Sequence, residues 1–122
     1  MVEPLTEAWI EAMDAAASTH DGLLAATADM ALTIEYRVVD GNTWHVRLEG
    51  GAARVVSGPA DEPDLSFTTG PATAAAIADG TLDPLRAVID GDVLLSGDPR
   101  VLVEHRAILD GLGDVFAATR QP

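Results

Sequence analysis

The sequence predicts an α/β domain of the α+β type, in which one five-stranded, mainly antiparallel sheet carries helices on one of its faces. Three observations favour this class. Segments in the first half of the chain alternate apolar and polar residues with the period of two that is typical of half-buried strands. Short turn sequences separate these segments, which favours hairpin connections. Stretches with apolar residues at helical spacing lie towards both ends of the chain.

The chain opens with a predicted helix over residues 4–18. Its apolar stripe at helical spacing consists of Leu5, Trp9, Met13 and Ala16. We interpret Trp9 as a packing anchor, with contact to a bound ligand as the alternative role of its ring. Residues 19–29 are predicted to be a connector.

Three strands in a meander follow this connector. Their inward positions are apolar, with Ile34, Tyr36 and Val38 on the first strand and Trp44, Val46 and Leu48 on the second. A turn at residues 40–42 joins these two strands, and residues 53–56 return as the third strand after Gly50-Gly51. The outward rows Glu35/Arg37 and Arg47/Glu49 are expected to be solvated and to pair across the hairpin, which contributes about 0–1 kcal/mol for each exposed pair.

The middle of the chain supplies a fourth strand and a short helix. Residues 57–63 combine glycine, proline and acidic residues, so an irregular loop is expected there. Residues 65–68 are predicted as the fourth strand. The alanine-rich helix that follows ends near Gly80, and Ile77 is its one large apolar residue.

The next segment has clear start and stop signals. Asp83 is a favourable N-cap, and Pro84 suits the first helical position because no hydrogen bond is lost there. Gly91 can adopt the left-handed conformation that ends a helix. Residues 92–96 are short and apolar, which predicts the fifth strand.

Asp98-Pro99 repeats the helix start signal and predicts one last helix over residues 100–118, roughly 30 Å long at 1.5 Å per residue. Gly111 and Gly113 each cost about 1 kcal/mol relative to alanine inside a helix. They indicate either close backbone packing or a segment that loosens. His105 is a polar residue on the apolar face, and it is interpreted as a hydrogen-bonded residue at the edge of the core or as a contact to the polar end of a ligand.

Composition and charge exclude several classes of function. A chain of 122 residues fits one domain, and the absence of cysteine excludes disulfides and thiol chemistry. The net charge of −13 disfavours nucleic acid and anionic lipid surfaces as partners. No apolar run is long enough to span a bilayer and no signal sequence is recognised, so stable membrane insertion is not expected and a cytoplasmic location is the default.

Residues with catalytic chemistry do not form a recognisable constellation. The serines lack the context of a nucleophile elbow, and the three histidines are far apart in sequence without a second ligand at helical spacing. The carboxylates fall mostly at caps, turns and wet faces. The sequence therefore predicts no enzyme, no metal site and no cofactor.

Several short motifs resemble the sterol carrier protein 2 family, the sterol-binding or sterol-transfer domain. The residues that carry this resemblance are Gly80, Asp83-Pro84, Gly91 and Gly97-Asp98, together with Gly41-x-x-Trp44 and Pro63-Asp64-Leu65-x-Phe67. The resemblance covers about residues 30–116. It implies a single domain over residues 1–122, with a core at 30–118 and an N-terminal helix and connector at 1–29.

The resemblance also implies a function. Sheet and helices would enclose an apolar tunnel that binds and transports a sterol, a fatty acyl chain or another lipid without transforming it. Its lining would be Ile34, Tyr36, Trp44, Val46, Phe67, Ile77, Leu85, Val88, Ile89, Ile108, Leu112 and Phe116, with His105 as a polar contact. The C-terminus is not the Ser-Lys-Leu peroxisomal address, so peroxisomal delivery is not expected.

Two other functions stay open at this point. The domain could be an interaction or homodimerisation module with a filled core, accessory to a partner enzyme. A small lyase or isomerase with a cone-shaped pocket is the third interpretation. It is disfavoured because that architecture ends in strands, whereas this chain ends in a predicted helix.

Overall fold

The computed structural model describes residues 5–119, apart from the side chains of Pro84, Leu85, Leu102, Leu109 and Phe116. Helices and strands follow one another in the order that the sequence predicts, except that one additional helix lies in the predicted connector and the predicted last helix is divided in two. The elements are α1 (Glu7–Ser18), α2 (Asp21–Ala26), β1 (Ala31–Val38), β2 (Thr43–Glu49), β3 (Ala52–Ser57), β4 (Leu65–Thr69), α3 (Pro71–Asp79), α4 (Pro84–Ile89), β5 (Val93–Gly97), α5 (Arg100–Glu104) and α6 (Arg106–Ala118).

The five strands form one sheet in the order β3-β2-β1-β4-β5. β1 pairs with β4 in parallel, and the other three pairings are antiparallel. The parallel pairing requires residues 58–64 to cross from one side of the sheet to the other. This segment runs over the face opposite the helices, because the backbone N–H of Ala60 donates to Glu35 and the carbonyl of Gly58 bonds to the ring of His45. The predicted fold class is therefore confirmed.

The core lies between the other face of the sheet and the helices. α1 packs mainly on β3, and α6 packs on α1, α2 and α3. Most of the predicted inward strand residues are buried in this core. The core also contains Trp9, Ile10, Met13 and Ala17 of α1, and Ile108, Leu112 and Val115 of α6.

A sharp local requirement for glycine occurs where β5 approaches the start of β4. Gly97 pairs with Leu65 and has φ = +111°, a conformation that side chains disfavour. A Cβ atom at this position would overlap the carbonyl oxygen of Asp64. The Gly97-Asp98 motif thus ends β5 in a place where only glycine fits, and Asp98 Oδ1 then accepts a hydrogen bond from the Arg100 N–H at the start of α5.

Three helical predictions are wrong in detail. The predicted connector at residues 19–29 contains α2, because the N-cap residue His20 accepts the Leu23 N–H at 2.9 Å through its ring Nδ1. The predicted last helix is not continuous but breaks at His105, whose φ of −115° and ψ of 39° are not helical. The first helix also begins at Glu7 rather than residue 4, since Thr6 is its N-cap.

The predicted ion pairs across the β1–β2 hairpin are also wrong. The register places Glu35 opposite His45 and Arg47 opposite Thr33. Glu35 is fully buried and bonds to Arg37 on the same strand. It is not solvated, because the crossing segment covers it.

Candidate ligand-binding cavity

A cavity of about 450 Å³ lies between the core face of the sheet and the helices α3, α4 and α6. Its volume falls within the range of small-molecule sites, about 300–1,000 Å³. The surrounding residues are mostly apolar, with charged side chains among those from α6 and from the start of α4. They are Leu5, Tyr36, Arg37, Val38, Trp44, Phe67, Thr69, Ala74, Ile77, Asp83, Val88, Val93, Asp110, Leu112, Gly113 and Asp114.

Three aromatic rings on neighbouring strands form one wall. The register places Tyr36 directly beside Trp44 of β2 and Phe67 of β4, all on the core face. The Tyr36 ring stacks on Trp44 with centroids 5.4 Å apart and on Phe67 with centroids 5.5 Å apart. Trp9 of α1 meets Trp44 edge-on at 5.1 Å. Since each ring supports the next, this wall is preorganised and apolar.

Two polar atoms are built into the aromatic wall. Burial raises the pKa of the Tyr36 phenol, so this group stays neutral at physiological pH. The indole of Trp44 is only 3% exposed, and its Nε1–H has no hydrogen-bond acceptor within the described part of the chain. A buried donor without an acceptor is unusual in proteins, and because this nitrogen is itself inaccessible, it lies inside the wall and not at the surface of the cavity.

Charged residues surround the cavity near solvent. Asp83, Asp110 and Asp114 are exposed carboxylates among the lining residues. Asp83 occupies the predicted N-cap position of α4, but its side chain makes no capping hydrogen bond there. Asp114 accepts a hydrogen bond from His20 Nε2 at 2.9 Å. The guanidinium of Arg37 bonds to Glu35 on the opposite face of the sheet.

The structure separates the thirteen predicted site residues into groups. Six line the cavity, namely Tyr36, Trp44, Phe67, Ile77, Val88 and Leu112. Ile34, Val46 and Ile108 are buried in the core away from the lining. Their contact with a ligand stays a prediction.

The other four predicted residues lie elsewhere. His105 is partly buried at the break between α5 and α6, outside the lining. Ile89 is 79% exposed at the end of α4, so it faces solvent and not the cavity. The side chains of Leu85 and Phe116 lie outside the described residues.

Sequence reasoning missed several lining residues. Val38 and Val93 are apolar residues of predicted strands, so the strand pattern could have identified them as lining residues. Asp110 and Asp114 were not, because charged residues one helical turn apart are ordinarily assigned to a solvated face. Their position at the cavity depends on how α6 is rotated against the sheet.

Within residues 5–119, side chains of His, Asp and Glu do not gather in groups of three or more that could hold a metal ion. Helices in the same range are too short or too polar to cross a bilayer.

Solved structures with the same fold include sterol carriers. The solution structure of a conserved hypothetical protein from Thermus thermophilus, suggested to be a sterol carrier protein, matches with a TM-score of 0.73 and 24% identity over 100% of this chain and 93% of that chain. A crystal structure of sterol carrier protein 2 matches with a TM-score of 0.68 and 22% identity over 98% of both chains. The UbiJ-SCP2 ubiquinone synthesis protein matches with a TM-score of 0.60 and 16% identity over 93% of this chain and 95% of that chain.

Sequence comparison gives the family directly. A comparison with curated proteins finds no significant match. The sequence profile of the SCP-2 sterol transfer family, however, matches residues 10–110, which is most of the chain. The chain therefore belongs to the SCP-2 sterol transfer family, whose domains bind or transfer apolar lipids.

Proposed function

We propose that this protein binds apolar lipids reversibly in the cavity, one molecule at a time, and releases them unchanged, without a catalytic step. The observation that carries the proposal is the cavity of about 450 Å³ with its wall of three stacked aromatic rings. Each methylene that leaves water contributes about 0.8 kcal/mol, so a chain of about ten methylenes gains roughly 8 kcal/mol before ordering costs. Micromolar affinity requires about 8 kcal/mol net, so the ordering costs must be covered by the additional methylenes of a longer lipid.

A non-directional apolar wall also limits selectivity. Hydrophobic burial depends on area and not on the position of particular atoms. We therefore expect a class of lipids, and not a single molecule, to bind between α4, α6 and the sheet. Ile34, Val46 and Ile108 belong to the buried core outside the lining, and their direct contact with a ligand stays a prediction.

The test is binding by the purified protein with a matched pair of variants. Organic extraction and mass spectrometry identify any lipid that co-purifies, and titration with an uncharged pyrene-labelled lipid gives the affinity. Ala74→Leu places a larger side chain in the cavity, whereas Ala75→Leu lies on an exposed face of the same helix. We expect micromolar binding, a loss of about tenfold or more in Ala74→Leu, and little change in Ala75→Leu.

Equal binding by both variants would place the lipid elsewhere, and the absence of binding by the wild-type protein would refute the carrier function. Thermal unfolding of each variant checks that the fold is retained.

An accessory role beside an enzyme is the second candidate. It is favoured by the similarity to a ubiquinone synthesis protein, since a domain of this fold then takes part in the synthesis of an apolar molecule. In this role the cavity would present its lipid to a partner enzyme, or the domain would form a homodimer. Light scattering over a range of protein concentrations tests for the homodimer. A monomeric mass at all concentrations would refute the homodimer.

A further inference from the structure

We propose that the free edge of β5 pairs with an extended segment of a partner protein, in which central apolar residues are flanked by lysine or arginine. The segment would extend the five-stranded sheet by one strand beside β5. This inference concerns an interaction surface and does not depend on lipid binding. It combines the direction of the β5 backbone groups, the difference between the two edges of the sheet, and the charge around β5.

The register of the sheet determines which backbone groups of β5 are directed away from it. The Val39 N–H donates to the Thr69 carbonyl at 2.8 Å, so Thr69 bonds to β1. Successive residues of a strand direct their N–H and C=O groups to opposite sides, so Thr68 bonds to β5, where it pairs with Leu94. Leu95 is the next residue and directs its backbone groups to the free edge. In the described part of the chain, no loop or side chain forms a hydrogen bond with these groups.

The two edges of the sheet differ in how they are covered. At the β3 edge, α1 packs on the strand and Asp14 accepts the Val55 N–H at 2.8 Å. At the β5 edge, side chains of residues 5–119 do not accept a strand N–H in this way. The helix α4 contacts β5, but it does so from the core side, where Val88 lines the cavity. The outer edge of β5 is therefore open.

The composition of β5 does not protect this edge. The strand Val93–Gly97 contains no charged residue and no proline. Leu94 is 66% exposed, on the face of the sheet opposite the core. Natural proteins ordinarily protect an edge strand with charge or proline, or they cover it with another element. An open and uncharged edge with an exposed leucine is suited to the addition of a strand from a partner.

The charge around β5 indicates the chemistry of this partner. Three exposed aspartates flank the strand, Asp90 and Asp92 before it and Asp98 after it. Asp90 binds Arg86 at 3.2 Å. Asp98 binds Arg100 at 2.9 Å. Asp92 forms no ion pair within the described residues, and the whole chain has a net charge of −13. A segment with lysine or arginine at its ends has complementary charge.

A second copy of this chain fits the edge less well. Antiparallel pairing of two β5 strands about Leu95 would place Asp92 opposite Asp98 of the other copy at both ends. Like charges that lie directly opposite on neighbouring strands are destabilising, and each copy also carries the net charge of −13. The observations therefore favour a basic segment of a different protein.

The test uses the purified wild-type protein and the synthetic peptide acetyl-Lys-Lys-Val-Thr-Val-Thr-Val-Lys-Lys-amide. Amide hydrogen exchange is followed by NMR without the peptide and with a saturating concentration of it, at low ionic strength. We expect the Leu95 amide to exchange about tenfold more slowly with the peptide, while the Leu94 amide, which bonds to β4, is protected in both states. Raising the salt concentration to about 0.5 M should weaken peptide binding several-fold, because the flanking charges are screened.

Two altered peptides test the mode of recognition on the same wild-type protein. Methylation of the backbone nitrogens of the five central residues removes the N–H donors, and it is expected to weaken binding by about tenfold or more. Replacement of the four lysines by glutamate keeps the strand-forming centre but reverses the charge. This peptide is also expected to bind about tenfold more weakly.

A matched pair of variants tests the position of the surface. Leu94→Lys places a charge on the outer side of β5 and is expected to weaken binding of the basic peptide by about tenfold. Val56→Lys makes the same change at an exposed valine of β3, the strand at the covered edge, and is expected to change binding by less than about twofold. Thermal unfolding checks that both variants retain the fold.

Four results would overturn the proposal. They are a Leu95 amide that is already protected in the free monomer, a Leu95 amide that the peptide does not protect, equal binding of the basic and acidic peptides, or equal effects of the two lysine variants. A dimeric mass in light scattering together with a protected Leu95 amide would assign the edge to a second copy instead. The first three results need no variant, so they stand even if Leu94→Lys fails to fold. Lipid is absent from all these measurements, so a failure of the proposed lipid binding would not produce any of these results.

Discussion

Glu35 illustrates how one residue acquires a role that its position in the sequence hides. It lies on the outward face of β1, where alternation predicts a solvated side chain, yet its exposure is 0%. Its carboxylate accepts hydrogen bonds from the Ala60 N–H at 2.8 Å, from Arg37 and from Ser66 Oγ. Burial alone raises the pKa of Glu35, but these hydrogen bonds and the Arg37 charge outweigh it, so the pKa lies below its ordinary value of 4.5.

We predict that Glu35→Gln lowers the free energy of unfolding at pH 7 by about 2 kcal/mol, because a charge-assisted set of hydrogen bonds is weakened. A carboxylate with a lowered folded-state pKa stabilises the protein above its unfolded pKa, and this contribution is lost as the pH falls through the folded-state value. The difference in the free energy of unfolding between wild type and variant, measured by urea unfolding, should therefore shrink as the pH falls from 5 to 3.

Glu49→Gln is the control for this prediction, since Glu49 is exposed on the neighbouring strand. It is expected to change stability by less than about 0.5 kcal/mol at either pH. A loss in Glu35→Gln that does not vary with pH would contradict the proposed contribution of the ionised form.

At the scale of elements, α6 determines both the packing of α2 and the shape of the cavity. Gly111 faces α2, where an added Cβ would lie 3.0 Å from Leu23 Cδ1 and 3.3 Å from Leu23 Cβ. Gly113 is two residues further along and lines the cavity, where an added Cβ meets no described atom within 4 Å. Of the two interpretations of these glycines, close packing therefore applies to Gly111.

This contrast predicts opposite effects of one substitution on the same helix. Gly111→Ala should destabilise the protein by about 1–2 kcal/mol, because Leu23 is fully buried and cannot move away without cost. Gly113→Ala should stabilise it by up to about 1 kcal/mol through higher helix propensity. Thermal and urea unfolding of the two variants measure both values, and equal shifts would show that the α2–α6 contact does not limit packing.

At the scale of the whole molecule, side-chain hydrogen bonds join the N-terminal helix to parts of the chain that are distant in sequence. The Trp9 Nε1–H donates to Thr119 Oγ1 at 3.1 Å, which links α1 to the residue after α6. Asp14 accepts hydrogen bonds from Arg54 at 2.8 and 3.0 Å and from the Val55 N–H at 2.8 Å, so it also covers the free edge of β3. The hydrogen bond from Arg54 keeps the pKa of Asp14 below its ordinary range.

Deletion of residues 1–19 is therefore expected to abolish cooperative unfolding. It removes Trp9, Ile10, Met13 and Ala17, which are all buried in the single core. Burial of a large apolar side chain contributes about 1.5–3 kcal/mol, so the loss approaches the whole stability of a typical domain. Trp9→Phe, which keeps a ring but not the bond to Thr119, is expected to cost only about 1–2 kcal/mol. A truncated protein with a sharp unfolding transition would show that residues 20–122 fold without the first helix.

Local signals in the sequence were sufficient for most elements. Alternation at Ile34, Tyr36, Trp44 and Val46 predicted the strands and their inward faces, since the period of two follows from the geometry of an extended backbone. Such signals failed at His20 and His105. Histidine is not among the usual N-caps, and the break at His105 interrupts a continuous apolar stripe without glycine or proline.

For the candidate site, strand alternation placed Tyr36 and Trp44 on the inward face, and the family resemblance added Phe67 to the predicted lining, where the structure has all three. Only the tertiary structure decided that Glu35 is covered, that Ile89 faces solvent, and that Asp83, Asp110 and Asp114 line the cavity. The physical reason is the separation in sequence between the residues that determine each feature. Which face of a strand or helix is apolar depends on neighbouring residues along the chain, whereas the contents of a cavity depend on the rotation and offset of elements that are distant in sequence and meet only when the core packs.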